Sequence, residues 1–306
     1  MNSKSRYIII VSIGISFLLG WYLFIKESDY CITFNEKTAT GTIFQGIQEW
    51  STKQLIAEKE NYSTIEKRKF DFIKQLMKKG NDEMEYTWNI KSINDSMTRV
   101  SIGIKDLNHS LYNRLTAPFF STKFKTDQID KIKSFKLGLE DHIADFKVRI
   151  DGEKSVEEIY VAYISLNSVL QEKAQTMIEN DMEIVGYLDR NKIKIIGYRP
   201  YLEITKWNQD KETISFNYCF PIDKNTKYIP DSKVKFKTIP AQKGLKATYY
   251  GNFRTSDRAW FALIDYAKRH HIKIENKPLE HFLANPFNGG NELEWKTEII
   301  IPFATR

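Results

Sequence analysis

The sequence predicts an α+β protein in which an N-terminal transmembrane helix precedes two folded domains. Three observations support this: an uncharged apolar run near the N-terminus, strand and helix patterns up to about residue 150, and a β-α-β-β pattern that occurs twice after it. We expect a membrane anchor at residues 1–28, a first domain at 29–150 and a second domain at 151–306.

The composition is that of a folded chain. Its 306 residues are 42% hydrophobic and 13% aromatic, enough for two domains, and no Gly-, Ser- or Pro-rich tract interrupts them. The formal net charge is +7, but the 46 basic and 39 acidic residues are intermixed along the chain. We therefore interpret the lysines as solvated surface residues and expect no nucleic-acid partner.

Residues 7–25 form a run of nineteen residues without a charged side chain. A helix of this length, at ~1.5 Å per residue, nearly spans a hydrocarbon core of ~30 Å. Lys4 and Arg6 precede the run, so the positive-inside tendency keeps the N-terminus in the cytoplasm. We expect a single-pass protein of a bacterial cell membrane with its C-terminal domains outside the cytoplasm. The alternatives are a cleaved signal peptide and a body that faces the cytoplasm.

The first domain combines strand, helix and hairpin patterns. Its first helix has an apolar stripe that ends at Trp50, and its hairpin turns at Asn94-Asp95. Residues 51–81 fit either a helix or a strand. The expected elements are a strand at 30–34, a helix at 42–50, hairpin strands at 85–92 and 97–104, and a long helix at about 127–146.

This order of elements, together with the segment EYTWNI at residues 85–90, resembles the START-like helix-grip superfamily (SRPBCC). The resemblance implies a sheet wrapped around the long helix and a pocket for a lipid or another apolar molecule. The alternative is that Trp50, Trp88 and Phe135 fill the interior of this domain.

A polar segment at residues 147–154 separates the two domains, and a strand, a helix and two further strands then occur twice. We expect the helices at about 168–180 and 256–270, and a single strand at 235–250 that begins the second copy. Neither copy alone could bury its sheet face, so we expect the two to join around a pseudo-dyad.

The ends of the two copies are similar. Cys219-Phe220-Pro221-Ile222 in the first copy aligns with Ile300-Ile301-Pro302-Phe303 in the second. In this alignment Asn217 occupies the position of Glu298. The acid is thus specific to the second copy, which indicates a role beyond packing.

The last strand contains the main candidate for a binding residue. Alternation over residues 292–303 places Glu298 on one face, and Trp295 and Thr297 on the other. A lone carboxylate among isoleucines is costly to bury unless a cation or a hydrogen-bond donor meets it. An acid lined by aromatic rings suits an organic cation. We interpret Glu298 as a ligand carboxylate; the alternative is a structural carboxylate tied to a lysine or a backbone amide.

Residues 154–306 resemble the GyrI-like domain, also called the AraC-type effector-binding domain. The resemblance rests on the paired repeats, on ATYYGNF before a tryptophan-bearing helix, and on the closing TEIIIPF at residues 297–303. It implies a groove between the repeats in which Glu298 meets a cationic or polar ligand. One departure is that Gly251-Asn252 stands where the family usually has glycine-proline. The further candidate ligand-binding residues are Tyr250, Phe253 and Trp260 near the acid, and Tyr163, Tyr201 and Tyr218 on the far wall.

Two of these aromatic residues have an alternative interpretation. Trp260 lies on the apolar stripe of its helix, so it could belong to the core instead of the groove. Trp295, on the face opposite Glu298, is expected to pack in the core.

Three functions follow from these residues. We favour a membrane-anchored protein that binds a small molecule without catalysis, because no second general acid or nucleophile accompanies Glu298. The second is a hydrolase in which Glu298 activates water against a strained electrophile, as in some GyrI-like proteins. The third is a structural or partner-binding envelope protein with filled grooves. Motifs for phosphate, dinucleotide or zinc sites are absent from the sequence, so we expect no cofactor and no metal.

Overall fold

The computed structural model describes residues 3–197, 199–227, 229, 233–284 and 289–304. The first two residues of the expected anchor and the last two of the expected second domain lie outside these ranges. The chain divides into two compact units. Unit 1 comprises Met1–Lys37 and Ile43–Glu140, and unit 2 comprises Thr38–Thr42 and Asp141–Arg306.

Unit 1 is built on a five-stranded antiparallel sheet in the order β1-β5-β4-β3-β2. Its elements are α1 (Ser3–Gly20), a π-helical turn (Trp21–Ile25), β1 (Tyr30–Glu36), α2 (Thr40–Glu58), β2 (Asn61–Arg68), β3 (Phe72–Lys79), β4 (Asp82–Asn94), β5 (Met97–Asp106), α3 (Ser110–Thr116) and α4 (Lys123–Ala144).

The sequence patterns place most of these elements correctly. The first strand, the β4–β5 hairpin and the long helix are confirmed. The helix expected at 42–50 is part of α2, which continues to Glu58. The ambiguous segment 51–81 forms the end of α2 and the strands β2 and β3. Its ambiguity has a simple cause: Ile73 and Met77 are four residues apart, a spacing that fits one face of a helix and one face of a strand equally well.

Aromatic rings fill the space between the sheet of unit 1 and α4. Trp88 and Phe135 are buried, and their ring centroids lie 5.2 Å apart. The Trp50 ring lies 5.5 Å from that of Phe135 and 6.0 Å from that of Trp88. These contacts support the alternative in which the three rings form the core, and not the apolar pocket that the START-like resemblance implies.

The expected transmembrane helix is not supported. Within the described ranges, no helix is both long and apolar enough to cross a membrane. The apolar run at residues 7–25 is not one regular α-helix, because α1 ends at Gly20 and Trp21–Ile25 adopt π-helical geometry.

Unit 2 is built on an eight-stranded antiparallel sheet in the order β10-β7-β9-β8-β12-β13-β11-β6. Its elements are β6 (Phe146–Val156), β7 (Ile159–Val169), α5 (Lys173–Arg190), β8 (Tyr201–Asn208), β9 (Thr213–Pro221), β10 (Lys235–Ile239), β11 (Gln242–Gly251), α6 (Asp257–Arg269), β12 (Leu279–Phe282) and β13 (Lys296–Pro302).

The expected duplication is confirmed by the strand order. The first copy contributes β7-β9-β8 and the second contributes β12-β13-β11 in the mirrored order. The two copies meet where β8 pairs with β12, with Leu202 opposite Glu280. Joining the copies in this way gives each β-α-β-β unit the partner that it needs to bury its sheet face.

Three local details of unit 2 differ from the expectations. The segment 147–154, expected as a boundary, lies within the edge strand β6, which pairs with β11 through a bulge. The expected strand at 235–250 is two strands, because Pro240 lacks the N–H that a continuous ladder needs. The expected helix at 168–180 begins at Lys173 and continues to Arg190.

We predict that Phe135→Ala lowers the free energy of unfolding of unit 1 by ~3–5 kcal/mol, because it leaves a cavity among packed rings. Leu137→Ala is the matched control: Leu137 lies two residues further along α4 and is exposed. We expect this control to change the free energy by less than ~0.5 kcal/mol. Urea titration followed by tryptophan fluorescence measures both, and equal losses in the two variants would contradict the assignment of the core.

Candidate ligand-binding site

The two faces of the eight-stranded sheet have different surroundings. The face on which α5 and α6 pack is here called the helix face, and the other is called the opposite face. Side chains alternate between the faces along each strand. In β13, Thr297 therefore lies on the helix face and Glu298 on the opposite face, where it pairs across the ladder with His281 and Thr248.

A cavity of about 660 Å³ lies on the helix face beneath α5. One side is formed by apolar residues of α5, and the floor and remaining walls come from β9, the loop after β11, the end of β12 and the start of β13. Among its lining residues, the aromatic ones are Tyr218, Phe220, Phe253, Phe282 and Trp295, and the apolar ones from α5 are Met177, Ile178, Met182 and Val185.

The aromatic rings of the cavity meet edge to face. The Tyr218 and Phe220 ring centroids lie 5.1 Å apart with an interplanar angle of 69°, and those of Phe253 and Phe282 lie 6.0 Å apart at 76°. Such pairs are favourable beyond the area they bury, and they leave ring faces available to a ligand. The cavity is thus suited to a molecule with apolar or aromatic groups.

Two charged residues, Asp181 and Arg254, are found among the described residues that line the cavity. The Tyr218 hydroxyl donates a hydrogen bond of 2.8 Å to Asp181 Oδ1. Burial and the neighbouring Asp181 carboxylate raise the pKa of the Tyr218 phenol well above its usual range, so the phenol stays protonated and remains a donor. The hydrogen bond orients Asp181 within an otherwise apolar wall.

The loop after β11 forms the wall that contains Phe253 and Arg254. Gly251 has a φ of 148°, and a Cβ at this position would lie 2.6 Å from Tyr249 Oη, so a larger residue does not fit. Asn252, where the family usually has proline, accepts a hydrogen bond of 3.1 Å from Arg254 N through its side chain. This side-chain bond restricts the conformation of the turn, as a proline ring at this position would.

A buried cluster of charges holds the same loop from behind. Lys173, at the start of α5, donates from Nζ to the carbonyl oxygens of Phe253 (3.2 Å) and Arg254 (3.3 Å), and to Ser256 Oγ (3.0 Å). Ser256 Oγ lies 2.9 Å from both carboxylate oxygens of Glu280. A residue of the first repeat thus fixes the cavity wall supplied by the second.

Glu280 is fully buried on the helix face. Burial raises the pKa of its carboxyl, although the Lys173 charge and the Ser256 hydroxyl act in the other direction. A buried carboxylate needs such partners to remain charged. Glu280 therefore serves the loop through Ser256 and does not itself line the cavity.

Glu298, the main candidate from the sequence, lies away from this cavity. Its carboxylate accepts hydrogen bonds of 2.8 Å from Lys246 Nζ and from Lys296 Nζ. Burial acts to raise the pKa of Glu298, but the two lysines outweigh it and lower the pKa to about 2. The geometry corresponds to the alternative predicted from the sequence, a structural carboxylate tied to lysine.

Three predicted tyrosines share the opposite face with Glu298. Tyr201 stacks on His281 with ring centroids 4.0 Å apart, and Lys237 Nζ lies 5.0 Å from the centroid of Tyr163. Tyr250 pairs across the ladder with Lys296. None of these three is among the residues that line the cavity. Strand alternation places them on the other face of the sheet from Tyr218, and a role for them in binding stays a prediction.

Of the seven predicted residues, Tyr218 and Phe253 line the cavity, and their role in binding stays a prediction. Trp260, a residue of α6, is fully buried, with its ring centroid 5.3 Å from that of Trp207. This placement fits its alternative interpretation as a core residue.

Sequence reasoning missed two important residues of the cavity. Asp181 lies one residue beyond the expected end of its helix at 180, so its position on the apolar stripe of α5 was hidden. Strand alternation predicts the correct face for Trp295 but does not distinguish a cavity wall from core packing. The signal for Asp181 is a single acid on the apolar side of a helix. The signal for Trp295 is a large ring on the face of the sheet that the helices cover.

Unit 1 has a separate cleft of about 430 Å³, and this cleft is polar. Its buried acid, Glu60, accepts bonds of 2.7 and 2.8 Å from Lys131 Nζ. Tyr86 donates to Gln128 at the same cleft in a bond of 2.5 Å. The lining does not match the apolar pocket expected of a START-like domain.

Residues 154–304, just under half of the chain, match the family model of the GyrI-like small molecule binding domain. This match confirms the GyrI-like resemblance, whereas the START-like resemblance of residues 29–150 is not supported. No curated protein is similar enough to the chain to be matched with it.

Several solved structures are similar to part of the chain. EcmrR in complex with DNA is 15% identical, with 65% of this chain and 72% of that chain covered and a TM-score of 0.43. SAV2435 bound to tetraphenylphosphonium is 13% identical (51% and 94% covered, TM-score 0.37), and a hydrolase from Listeria innocua is 11% identical (50% and 92%, TM-score 0.35). At these identities and scores they add no argument about ligand or activity.

We predict that the charge of Glu298 stabilises the fold at neutral pH and that this contribution is lost in strong acid. Its folded-state pKa of about 2 lies below its ordinary value of 4.5, so its contribution is present above pH 4.5 and is lost as the pH falls towards 2. The stability difference between wild type and Glu298→Gln should therefore shrink over this range in urea titrations. Glu294→Gln, at an exposed glutamate, is the control. A pH-independent difference for Glu298→Gln would contradict the two-lysine geometry.

We predict that Lys173→Met lowers the free energy of unfolding by ~3–5 kcal/mol, because it removes the positive charge that compensates the buried Glu280 carboxylate. The double variant Lys173→Met/Glu280→Gln also removes that negative charge and should recover part of the loss. These two variants and the single variant Glu280→Gln are measured by chemical denaturation. A double variant whose loss equals or exceeds the sum of the two single losses would show that the buried cluster is not coupled as described.

Proposed function

We propose that the cavity beneath α5 binds an organic molecule that has aromatic groups and a positive charge. The match of residues 154–304 to the family model of the GyrI-like small molecule binding domain supports a binding role for this unit. The observation that supports this most directly is the presence of Asp181 among aromatic side chains in a cavity of about 660 Å³. Cavities of this size and composition suit small organic ligands.

The positive charge of the ligand is inferred from Asp181. Tyr218 satisfies one position on Oδ1, and a carboxylate can accept several further interactions. Arg254, the other charged lining residue described, is exposed to solvent. An organic cation between Asp181 and the surrounding ring faces would gain both charge pairing and cation–π attraction.

The α5 wall favours ligands of varied shape. Met177 and Met182 are unbranched and flexible, and methionine adapts to irregular partners. The floor is different, because Phe220 and Phe282 are buried. We infer a site that fixes the charge of its ligand and tolerates variation in its apolar groups.

We propose binding without turnover. The hydrolase alternative needs a carboxylate that can take a proton from water. Glu298 does not meet this need, because its pKa is near 2 and two lysines are bonded to it. It is also not among the residues that line the cavity. A base with so low a pKa is a poor proton acceptor near neutral pH. No other observation favours the hydrolase.

The proposal is tested with tetraphenylphosphonium, an aromatic cation, by isothermal titration calorimetry on the full chain. We expect Asp181→Asn to weaken binding roughly tenfold, because it removes the charge and keeps an oxygen that Tyr218 can donate to. The matched control is Glu298→Gln, the same acid-to-amide change on the opposite face, which should change the affinity less than about twofold.

A neutral ligand separates charge recognition from apolar binding. Triphenylphosphine oxide has similar rings without a net charge, so its affinity should be the same for wild type and Asp181→Asn. If Glu298→Gln abolishes binding of tetraphenylphosphonium and Asp181→Asn does not, the ligand occupies the opposite face and the proposal is wrong.

We also propose that the N-terminal segment attaches the protein to a membrane. The support is that the large apolar side chains described in α1 are exposed, from 45% for Ile9 to 75% for Phe17. The orientation with the C-terminal domains outside the cytoplasm, the bacterial cell membrane as location and the absence of a nucleic-acid partner stay predictions. Co-flotation of the full chain with phosphatidylcholine vesicles tests the attachment, and a chain that stays at the bottom of the gradient would refute it.

A further inference from the structure

An exposed apolar surface projects from unit 1 next to the end of α1. It consists of one side of α3 and the turn that follows, and it is here called the α3 patch: Leu111, Tyr112, Leu115, Phe119 and Phe120. We propose that the α3 patch rests in the interfacial layer of a lipid bilayer. This inference rests on the membrane attachment proposed above.

The α3 patch is strongly exposed and locally fixed. Phe119 is 79% exposed, and Tyr112 and Phe120 are 63% and 64% exposed. The turn is held by Thr116 O, which accepts hydrogen bonds from Phe119 N (3.1 Å) and Phe120 N (2.9 Å). Because the backbone is bonded in this way, the two phenylalanines are displayed by a defined turn and not by a free end.

The other side of α3 is buried and explains why the patch faces outward. Asn113 and Arg114 are buried, and Asn113 Nδ2 donates to Asp106 Oδ2 at 3.1 Å. Leu111 and Leu115, four residues apart, share the exposed side of the helix. A helix with its polar residues inside and its leucines outside is the reverse of a water-facing surface helix. This inversion indicates that something other than water covers the outer side.

Arg114 joins α3 to the end of α1. Its Nε donates to Asp29 Oδ1 (2.7 Å), its Nη1 donates to the carbonyl oxygen of Leu23 (2.8 Å), and its own carbonyl oxygen accepts from Tyr22 Oη (3.2 Å). Because Tyr22 and Leu23 belong to the π-helical turn, these bonds place the exposed side chains of that turn beside α3. Within the turn, Trp21 and Phe24 are exposed.

The exposed side chains of α1 indicate lipid as the occupant. They include residues 9–11 and 17–19, and three consecutive positions on a helix point in three directions 100° apart. A groove on a partner protein, or a second copy packed along one stripe, covers one side of a helix and leaves the others in water. A helix that is apolar on all sides needs an environment that surrounds it, such as the apolar layer of a bilayer.

The composition of the α3 patch matches the boundary of such a layer. Tyrosine and tryptophan are enriched where hydrocarbon meets headgroups, because their rings are apolar and their hydroxyl or N–H groups are polar. Trp21, Tyr22 and Tyr112 occupy the junction between α1 and the folded part of unit 1. An insertion of α1 up to this junction would bring Phe119 and Phe120 to the bilayer surface.

The test uses a fluorescent label on the full chain. Cys31 is exposed and Cys219 is buried, so a Cys31→Ser background leaves no accessible thiol among the native cysteines. Phe120→Cys in this background is labelled with an environment-sensitive dye and mixed with phosphatidylcholine vesicles that contain brominated acyl chains. The matched control is Ile65→Cys, an exposed apolar position on β2, at the other edge of the sheet from β1.

We expect the dye at position 120 to shift to shorter wavelength and to be quenched by the brominated lipid, and the dye at position 65 to show neither change. Vesicle-bound protein with no quenching at position 120 would overturn the inference and leave the attachment intact. Protein that does not bind vesicles at all would overturn both. A wavelength shift at position 120 that occurs without vesicles and grows with protein concentration would show that a second copy covers the patch, and would also overturn the inference.

Discussion

The alternation of side chains in the antiparallel sheet of unit 2 is the constraint on which the site depends. Each residue of β13 must face either α5 and α6 or the opposite side, and a shift by one residue exchanges the two sets. The register with β11 and β12 fixes Thr297 on the cavity side and Glu298 on the other. The identity of the residues of β13 that line the cavity follows from this register.

The two faces then acquire different chemistry. On the opposite face, lysines surround the acids: Glu298 is bonded by Lys246 and Lys296, and Glu203 by Lys237 and Asn217. These bonds engage the carboxylates of both Glu298 and Glu203. On the helix face, Lys173 is buried behind the cavity wall and donates to the carbonyl oxygens of Phe253 and Arg254. It does not bind the carboxylate of Asp181. Asp181 therefore remains the acid that a ligand can reach.

Much of the fold could be predicted from the sequence, because it depends on local patterns and on duplication. The matched ends of the two copies led to the correct pairing of the β-α-β-β units, and the face assignment of Trp295, Thr297 and Glu298 was also correct. What alternation cannot give is which face the helices cover. Without that information, a lone glutamate among isoleucines suggests a binding residue. Two lysines neutralise it in the structure: Lys296 is in the same strand, but Lys246 is in β11 and is distant in sequence.

Other errors had equally local causes. The extent of α5 was underestimated because no glycine or proline marks its end, so Asp181 fell outside the expected helix. The apolar residues near Trp50 were compatible with a ligand pocket as well as with a core, since sequence does not show whether rings meet one another. In the structure Trp50, Trp88 and Phe135 do so.

The most direct test of this account is to locate a bound ligand. Crystals of the protein with tetraphenylarsonium would show the arsenic atom by its anomalous scattering. The account predicts a single strong peak beneath α5, between Asp181 and Trp295. A peak on the opposite face, against the stacked rings of Tyr201 and His281, would contradict it.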